Sequence, residues 1–346
     1  IVVAGGGTGG HLFPGIAVAC EFTKRDPHSR VLFVGAGRPF EKEALARAGY
    51  PHRTIVVEGF KGRALAGMTR SLVKIPGALR HSIGILSNVG ADIVIGVGGY
   101  AAGPVALAAW LKGIPVVLCE QNIFPGITNR MLLPIARRIY VSFEDTRGRI
   151  DPAKMQFTGN PVRQQILDAA AAGPATDQSH LTIMVVGGSQ GAHAINVALV
   201  DALPHIRNKQ MIRFIHQTGS ADRDQVTAAY GQAGIEAEVR DFFHDMASRY
   251  RRADLIVCRA GATTLAELTA MGKAALFIPY PYAADDHQGH NARVLVEKGA
   301  AQMVLEHDLS GEDLARWLYH WGAGPERLEA MAAASRTLGK PDAAKT

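Results

Sequence analysis

The 346-residue chain has little cysteine, few aromatic residues and no long apolar run. Its three cysteines, Cys20, Cys119 and Cys258, are odd in number, far apart and each set in an apolar segment. That argues against a disulfide framework or a metal set and predicts buried thiols in a reducing compartment. No stretch reaches the ~20 apolar residues that span a bilayer, and no basic-then-apolar leader precedes the first strand pattern. The protein is therefore expected in the cytosol or at a membrane surface. Because Ile1 rather than Met opens that strand pattern, a few residues are expected to precede it. Zinc-finger spacings and aromatic-basic RNA signatures are missing, so no nucleic-acid partner is expected.

Acid is scarce in one region. The net charge of +6 divides into an excess of nine positive charges over residues 1–160 and a net of minus three over residues 161–346. From Gly59 to Ala91 there is no acid, whereas Lys61, Arg63, Arg70, Lys74 and Arg80 alternate with Met68, Leu72, Ile75 and Leu79. Such a stretch suits an anionic lipid surface, although the same spacing also fits an ordinary core face, with Pro76 expected to interrupt the helix. Trp110 and Lys112 could extend that surface.

What is present is a rhythm. Short β-branched runs at Ile1–Ala4, Val31–Gly35, Thr54–Val57, Asp92–Val97, Pro115–Cys119 and Arg138–Ser142 leave room for helices between them. The pattern restarts at Leu181–Val186 and continues through Ile212–His216, Glu236–Arg240, Leu255–Cys258, Ala274–Pro279 and Ala301–Leu305. The expected fold is α/β with two doubly wound Rossmann-like domains, residues 1–160 and 179–324. A crossover and linker would occupy 161–178, and a helical segment 325–346. Each domain opens with a strand, a glycine-rich turn and a helix: VVAGGGTGGH at Val2–His11 and MVVGGSQGA at Met184–Ala192. Ligands of such sheets lie beyond the carboxyl ends of the strands, so two such domains predict a cleft.

Glycine turns that lead into helices make anion sites, most often for phosphate. Gly5, Gly7 and Gly10 satisfy G-x-G-x-x-G, a weak match taken alone. The acid that NAD would want after the second strand is missing, and Arg38 would suit only an NADP phosphate. No Lys-Ser/Thr follows either glycine run, which excludes a P-loop. Asp222-Arg223-Asp224 has the letters of a metal-nucleotide motif but sits at an expected helix start, where capping is the simpler role.

Seven motifs then occur in one order: GGGTGGH with Pro14, GVGGYAAGP (Gly96–Pro104), EQN (Glu120-Gln121-Asn122), GNPVR (Gly159–Arg163), GGSQGA, CRAGATTLAE (Cys258–Glu267) and DHQGHNA (Asp286–Ala292). Together they span nearly the whole chain, and it resembles the MurG family, the peptidoglycan N-acetylglucosaminyltransferases that make lipid II. The resemblance implies a GT-B fold and an inverting, metal-independent enzyme without cofactor. Its donor would be UDP-GlcNAc and its acceptor undecaprenyl-pyrophosphoryl-MurNAc-pentapeptide, reached as a peripheral protein on the cytoplasmic face of the bacterial membrane. Donor contacts would fall on Thr8, Gly9, Gly10, Asn122, Arg163, Ser189, Phe243, Ala262, Thr263, Thr264, Leu265, Ala266, Glu267 and Gln288. Glu267 would hold the ribose, Gln288 and Asn122 the sugar, and the Phe243 backbone the uracil. The acceptor pyrophosphate is expected at Gly6, Gly7, Gly98, Gly99 and Tyr100, and the membrane at Lys61, Met68, Arg70, Leu72, Lys74, Ile75 and Trp110. The chain departs from the family where Cys119 replaces a common His, Phe243 an aliphatic residue, and Gly289 a second glutamine.

Inverting transfer needs a base for the acceptor hydroxyl and a means of carrying leaving-group charge. His11, at the mouth of the first glycine turn, is the expected base, because a helix N-terminus favours the neutral imidazole. Glu120 is the runner-up. Other readings of the same residues are a UDP-GlcNAc epimerase, a glycolipid glycosyltransferase, an NADP oxidoreductase and a non-catalytic binding protein that closes on its ligand.

Overall fold

The computed structural model describes residues 1–56, 65–177, 179–188 and 191–346, with side chains described outside 65–75, 322 and 323. The chain divides into two compact units, one of residues 1–163 with 342–346 and one of residues 164–341.

In the first unit the elements run β1 (Val2–Ala4), α1 (Gly9–Arg25), β2 (Leu32–Gly35), α2 (Pro39–Ala48), β3 (His52–Thr54) and α3 (Leu65–Val89). They continue as β4 (Val94–Gly96), α4 (Ala102–Leu111), β5 (Val116–Glu120), α5 (Ile127–Leu132), β6 (Arg138–Val141) and β7 (Met155–Phe157). All pairings are parallel, in the order β3-β2-β1-β4-β5-β6-β7. The chain reverses its direction of winding between β1 and β4, which puts the mouth of the first glycine turn at the switch point. Val2, Val3 and Ala4 are all buried because helices cover both faces. Val3 and Phe33 join Leu12, Ala19 and Leu45 of α1 and α2 on one face. Val2, Ala4 and Val34 join Leu86, Val105 and Ala109 of α3 and α4 on the other. Truncating a ring as buried as Phe33 in such a layer costs about 3–5 kcal/mol.

The second unit starts with α6 (Gln164–Ala171) and β8 (Leu181–Val186), then α7 (His193–Ala202), β9 (Ile212–Gln217), α8 (Arg223–Ala233) and β10 (Glu236–Arg240). Next come α9 (Met246–Arg252), β11 (Leu255–Cys258), α10 (Ala262–Met271), β12 (Ala274–Phe277), α11 (His287–Glu297), β13 (Gln302–Met303), α12 (Gly311–Ala323) and α13 (Pro325–Leu338). Its sheet repeats the first topology as β10-β9-β8-β11-β12-β13. The core joins Ile183 and Val185 to Ile195, Leu199 and Leu318.

Several expectations need revision. The third strand lies at His52–Thr54 rather than at Thr54–Val57, and β7 adds an edge strand. The stretch 161–178 is not all linker: α6 buries Ile166 and packs on α9 and α10. Helix α3 continues through Pro76, whose missing N–H removes one intrahelical bond at an exposed position. After α13, residues 342–346 return to the first unit, where Arg25 donates to the Lys345 carbonyl.

Candidate active site

The glycines of the first turn serve backbone packing. Gly5, Gly6 and Gly7 have φ of +131°, +125° and +92°, and their amides donate to Val34 O (3.0 Å), Gly98 O (3.3 Å) and Glu41 Oε1 (2.5 Å). A Cβ at Gly5 would sit 2.1 Å from Gly98 O, and one at Gly99 would sit 2.6 Å from Gly6 O. Two glycine turns are thus pressed together, as only glycine permits. At Gly6 and Gly7, where the acceptor pyrophosphate is expected, both amides donate within the protein, Gly7 N to the Glu41 carboxylate. Glu41 is buried and its Oε2 accepts from the Arg38 amide at 2.9 Å. Arg38 in turn donates Nη1 to Gly7 O at 3.3 Å, so it serves the turn rather than an NADP phosphate.

Helix α1 starts at Gly9 and Gly10 behind Thr8, an extended N-cap residue whose side chain makes no capping bond. The helix N–H groups of this turn therefore lie at α1, beyond the glycine run. His11 is half-buried at the same turn. Its Nδ1 lies 3.1 Å from Gln121 Oε1, and a Cβ on Gly98 would lie 2.8 Å from Nδ1. Gly98 and Gly99 keep φ of +91° and +81°, and Tyr100 follows them half-buried.

Glu120, the runner-up base, is engaged within its own loop. Its carboxylate is buried, with Oε1 accepting from Asn122 N (2.9 Å) and Asn122 Nδ2 (3.3 Å). Oε2 accepts from Gly126 N (3.1 Å) and Asn129 Nδ2 (2.8 Å). Four donors hold this carboxylate to the shape of residues 120–129, so it organises the turn that presents Gln121 and Asn122. Arg163 stacks its guanidinium 4.2 Å from the Phe13 ring centroid, which ties GNPVR to α1 two residues past His11.

In the second unit, Gly191 lies where a Cβ would be 2.4 Å from Thr218 O, and Ser189 lies outside the described residues. Gln217, absent from the sequence-derived set, links two segments: Nε2 donates to Gly188 O at 2.9 Å and Oε1 accepts the Phe243 N–H at 2.9 Å. The Phe243 amide proton is therefore engaged, and its buried ring carries Arg249 at 5.1 Å. Helix α10 begins after Gly261, which brings no side-chain cap, and its first turn holds Ala262, Thr263 and Thr264 without an acidic residue. This is the arrangement that favours a bound anion. Leu265 packs into the core, Ala266 is half-buried, and the buried Glu267 lies 3.5 Å from Tyr250 Oη. Gln288 Oε1 accepts from Ala260 N (3.2 Å) and Tyr280 N (3.0 Å), joining the loop before α10 to the loop before α11.

A polar relay supports the second turn from below. His216 lies 3.0 Å from Asn196 Oδ1 through Nε2 and 3.2 Å from Tyr230 Oη through Nδ1. Asn196 Nδ2 donates to Thr218 O and Asp222 Oδ2. Burial pushes the His216 ring down to about 3, so it is neutral. Partial burial pushes the Asp222 carboxyl up, but hydrogen bonds from Asn196 and His193 outweigh it and the net shift is downward. Asp222 does occupy the N-cap position of α8, yet its side chain turns to Asn196 and His193 instead of capping. Cys119 and Cys258 are buried free thiols, and burial pushes both up to about 12.

On the first unit Trp110 is 51% exposed and Leu111 55% at the end of α4, and α5 adds Ile127 at 54% and Met131 at 73%. Ile127 and Met131 were missed in the sequence because α5 is too short to show a face. Lys61 lies outside the described residues, as do the side chains of Met68, Arg70, Leu72, Lys74 and Ile75, although the α3 backbone that carries those five is described.

Residues 1–141 match the glycosyltransferase family 28 N-terminal domain, and residues 182–346 match the family's C-terminal domain. The chain belongs to glycosyltransferase family 28. Among similar proteins is a UDP-N-acetylglucosamine–N-acetylmuramyl-(pentapeptide) pyrophosphoryl-undecaprenol N-acetylglucosamine transferase of Myxococcus xanthus, 45% identical over 100% of this chain and 90% of that protein. A transferase of the same name from Syntrophus aciditrophicus is 46% identical over 98% and 94%. The crystal structure of Acinetobacter baumannii MurG superposes with a TM-score of 0.77 at 32% identity, covering 99% of this chain and 96% of that one. A UDP-GlcNAc 2-epimerase of Neisseria meningitidis, bound to UDP-GlcNAc, shares the fold at 14% identity and a TM-score of 0.71, covering 99% and 96%. Family 28 membership and these neighbours make the two parallel-sheet units a GT-B fold.

Proposed function

We infer that this chain moves GlcNAc from UDP-GlcNAc to the 4-hydroxyl of MurNAc in undecaprenyl-pyrophosphoryl-MurNAc-pentapeptide, giving lipid II for peptidoglycan synthesis. The observation that carries it is similarity at 45% identity across the whole chain to a transferase named for that reaction. The site chemistry agrees. The uncapped first turn of α10 suits a nucleoside diphosphate, the Glu267 carboxylate suits a ribose diol, and His11 suits a proton acceptor.

Transfer is one displacement. The acceptor oxygen bonds to the anomeric carbon as its bond to the UDP oxygen breaks, with inversion. UDP leaves with the bonding pair, and the hydroxyl proton passes to His11. Helix N-termini and Arg163 carry the leaving-group charge without a metal. The acceptor is a lipid, so the protein works peripherally at the cytoplasmic face of the membrane. No helix among the described residues is long and apolar enough to cross a bilayer. The exposed Trp110, Leu111 and Met131 offer apolar anchors to a lipid surface, and the acid-free stretch from Gly59 to Ala91 brings positive charge suited to anionic lipid.

The deciding experiment supplies UDP-GlcNAc labelled in the sugar with a lipid I analogue, with and without EDTA. Label in the lipid product in both arms is expected. An unlabelled lipid with a competent acceptor present overturns the assignment, and transfer abolished by EDTA overturns its metal-independent part.

A further inference from the structure

We propose that Gln121 is a positioning residue that holds the His11 imidazole in its Nδ1–H tautomer and so keeps Nε2 as the proton-accepting nitrogen. The proposal rests on His11 being the base. Gln121 is buried, and its amide has a defined sense: Nε2 donates to the Cys119 carbonyl at 3.2 Å, which leaves Oε1 toward His11 Nδ1 at 3.1 Å. Reversing the amide would set its oxygen against that carbonyl oxygen, two acceptors with no proton between them. An amide oxygen only accepts, so Nδ1 must carry the proton in the neutral ring.

The Gly98 backbone lies close to the ring on a second side. A side chain there would meet Nδ1 and Cε1 at 2.8 and 2.9 Å, so the position leaves no room for one. Gln121 in turn is held by its neighbour Glu120, whose four accepted hydrogen bonds set the course of residues 120–129. The two halves of the EQN motif thus divide the work: the carboxylate shapes the turn and the amide selects the tautomer. When the acceptor hydroxyl gives its proton to Nε2, the imidazolium keeps its Nδ1–H bond to Oε1, and that bond strengthens as charge develops. The charged groups against these loops are Glu41 and Arg38 on the glycine turn, Glu120 beside Gln121, and Arg163 on Phe13. All four stay unchanged in the test.

The test compares full-length wild type, Gln121→Met, Gln121→Glu and His11→Ala with labelled UDP-GlcNAc and a lipid I analogue, as kcat and KM across pH. Nitrogen NMR of the His11 ring in the first three reads the tautomer directly. Gln121→Met keeps the length but removes the acceptor. Its kcat should fall at least about tenfold, with KM for UDP-GlcNAc within about twofold. Gln121→Glu should recover most turnover and move the acid limb of the kcat profile up by about one pH unit, because a carboxylate stabilises the imidazolium. Nδ1 should be the protonated nitrogen in wild type.

Wild-type kcat and acid limb in Gln121→Met, with His11→Ala inactive, would remove the positioning role and leave the base in place. Full kcat in His11→Ala would instead remove the base itself. Protonation at Nε2 in wild type overturns the proposal whatever the kinetics show. If Gln121→Met loses its melting transition, Gln121→Glu decides: an unshifted acid limb sinks the proposal and a shifted one upholds it.

Discussion

The two units each open on a strand, a glycine-rich turn and a helix, yet the two turns are used differently. In the first, the amides of Gly5, Gly6 and Gly7 bond within the protein, that of Gly7 to the buried Glu41 carboxylate. In the second unit the turn is fastened through Gln217, and the uncapped helix start lies one strand away at α10. A carboxylate inside the first turn repels a second anion, whereas the α10 turn has no acid to do so. Similar openings are thus tied down by different partners, Glu41 and Gly98 in one unit and Gln217 in the other.

The largest effect that would break this contrast is on His11. His11→Ala should lower kcat at least about a hundredfold while UDP-GlcNAc affinity stays within about twofold, measured by turnover and isothermal titration. A comparable loss of donor affinity would make His11 a donor-binding residue rather than the base. Gly98→Ala should come next, with a loss of about tenfold or more in kcat. Its Cβ needs a φ that L residues avoid and would displace the His11 ring. Unchanged kcat would show that the ring has room to spare.

On the other edge, Glu267→Gln should weaken UDP-GlcNAc about tenfold, the equivalent of ~1.4 kcal/mol for a charge-assisted bond, and leave the melting transition of the ligand-free protein unchanged. A separate effect, on stability rather than turnover, concerns pH and the relay beneath the second turn. His216 has a folded value near 3 against 6.5 unfolded, so between those values the unfolded chain binds the extra proton. Stability should therefore fall as pH drops from 6.5 toward 3, by up to ~1.4 kcal/mol per pH unit from this group. Urea midpoints of wild type and His216→Asn across that range check it: the variant should show the flatter dependence.

Most of the sheet was legible because parallel strands covered on both faces are continuous apolar runs, as at Ile183–Val186. β7 escaped because Met155-Gln156-Phe157 is a short edge strand with two exposed residues and no such run. The candidate site divides in the same way. His11, Glu267 and Gln288 stand inside motifs, whereas Glu41 reaches Gly7 across 34 positions and Gln217 reaches Phe243 across 26. No local periodicity records a hydrogen bond between distant loops. Glu120 shows the opposite failure: a carboxylate in a motif invites a catalytic role, and only its four donors assign it to the backbone.

The last five residues belong to the first unit, so the chain enters the second unit after Arg163 and leaves it before Asp342. The second unit is in effect an insertion into the first, joined by two covalent crossings. A single protease cut at either crossing leaves one continuous tether. A fragment ending at Arg163 would also lack Ala343 through Thr346, which wall a cavity of about 160 Å³ alongside Phe22, Ile95 and Tyr140. Cut there, the first unit would bare an apolar surface that residues 343–346 normally cover, and aggregation of that fragment would be its signature.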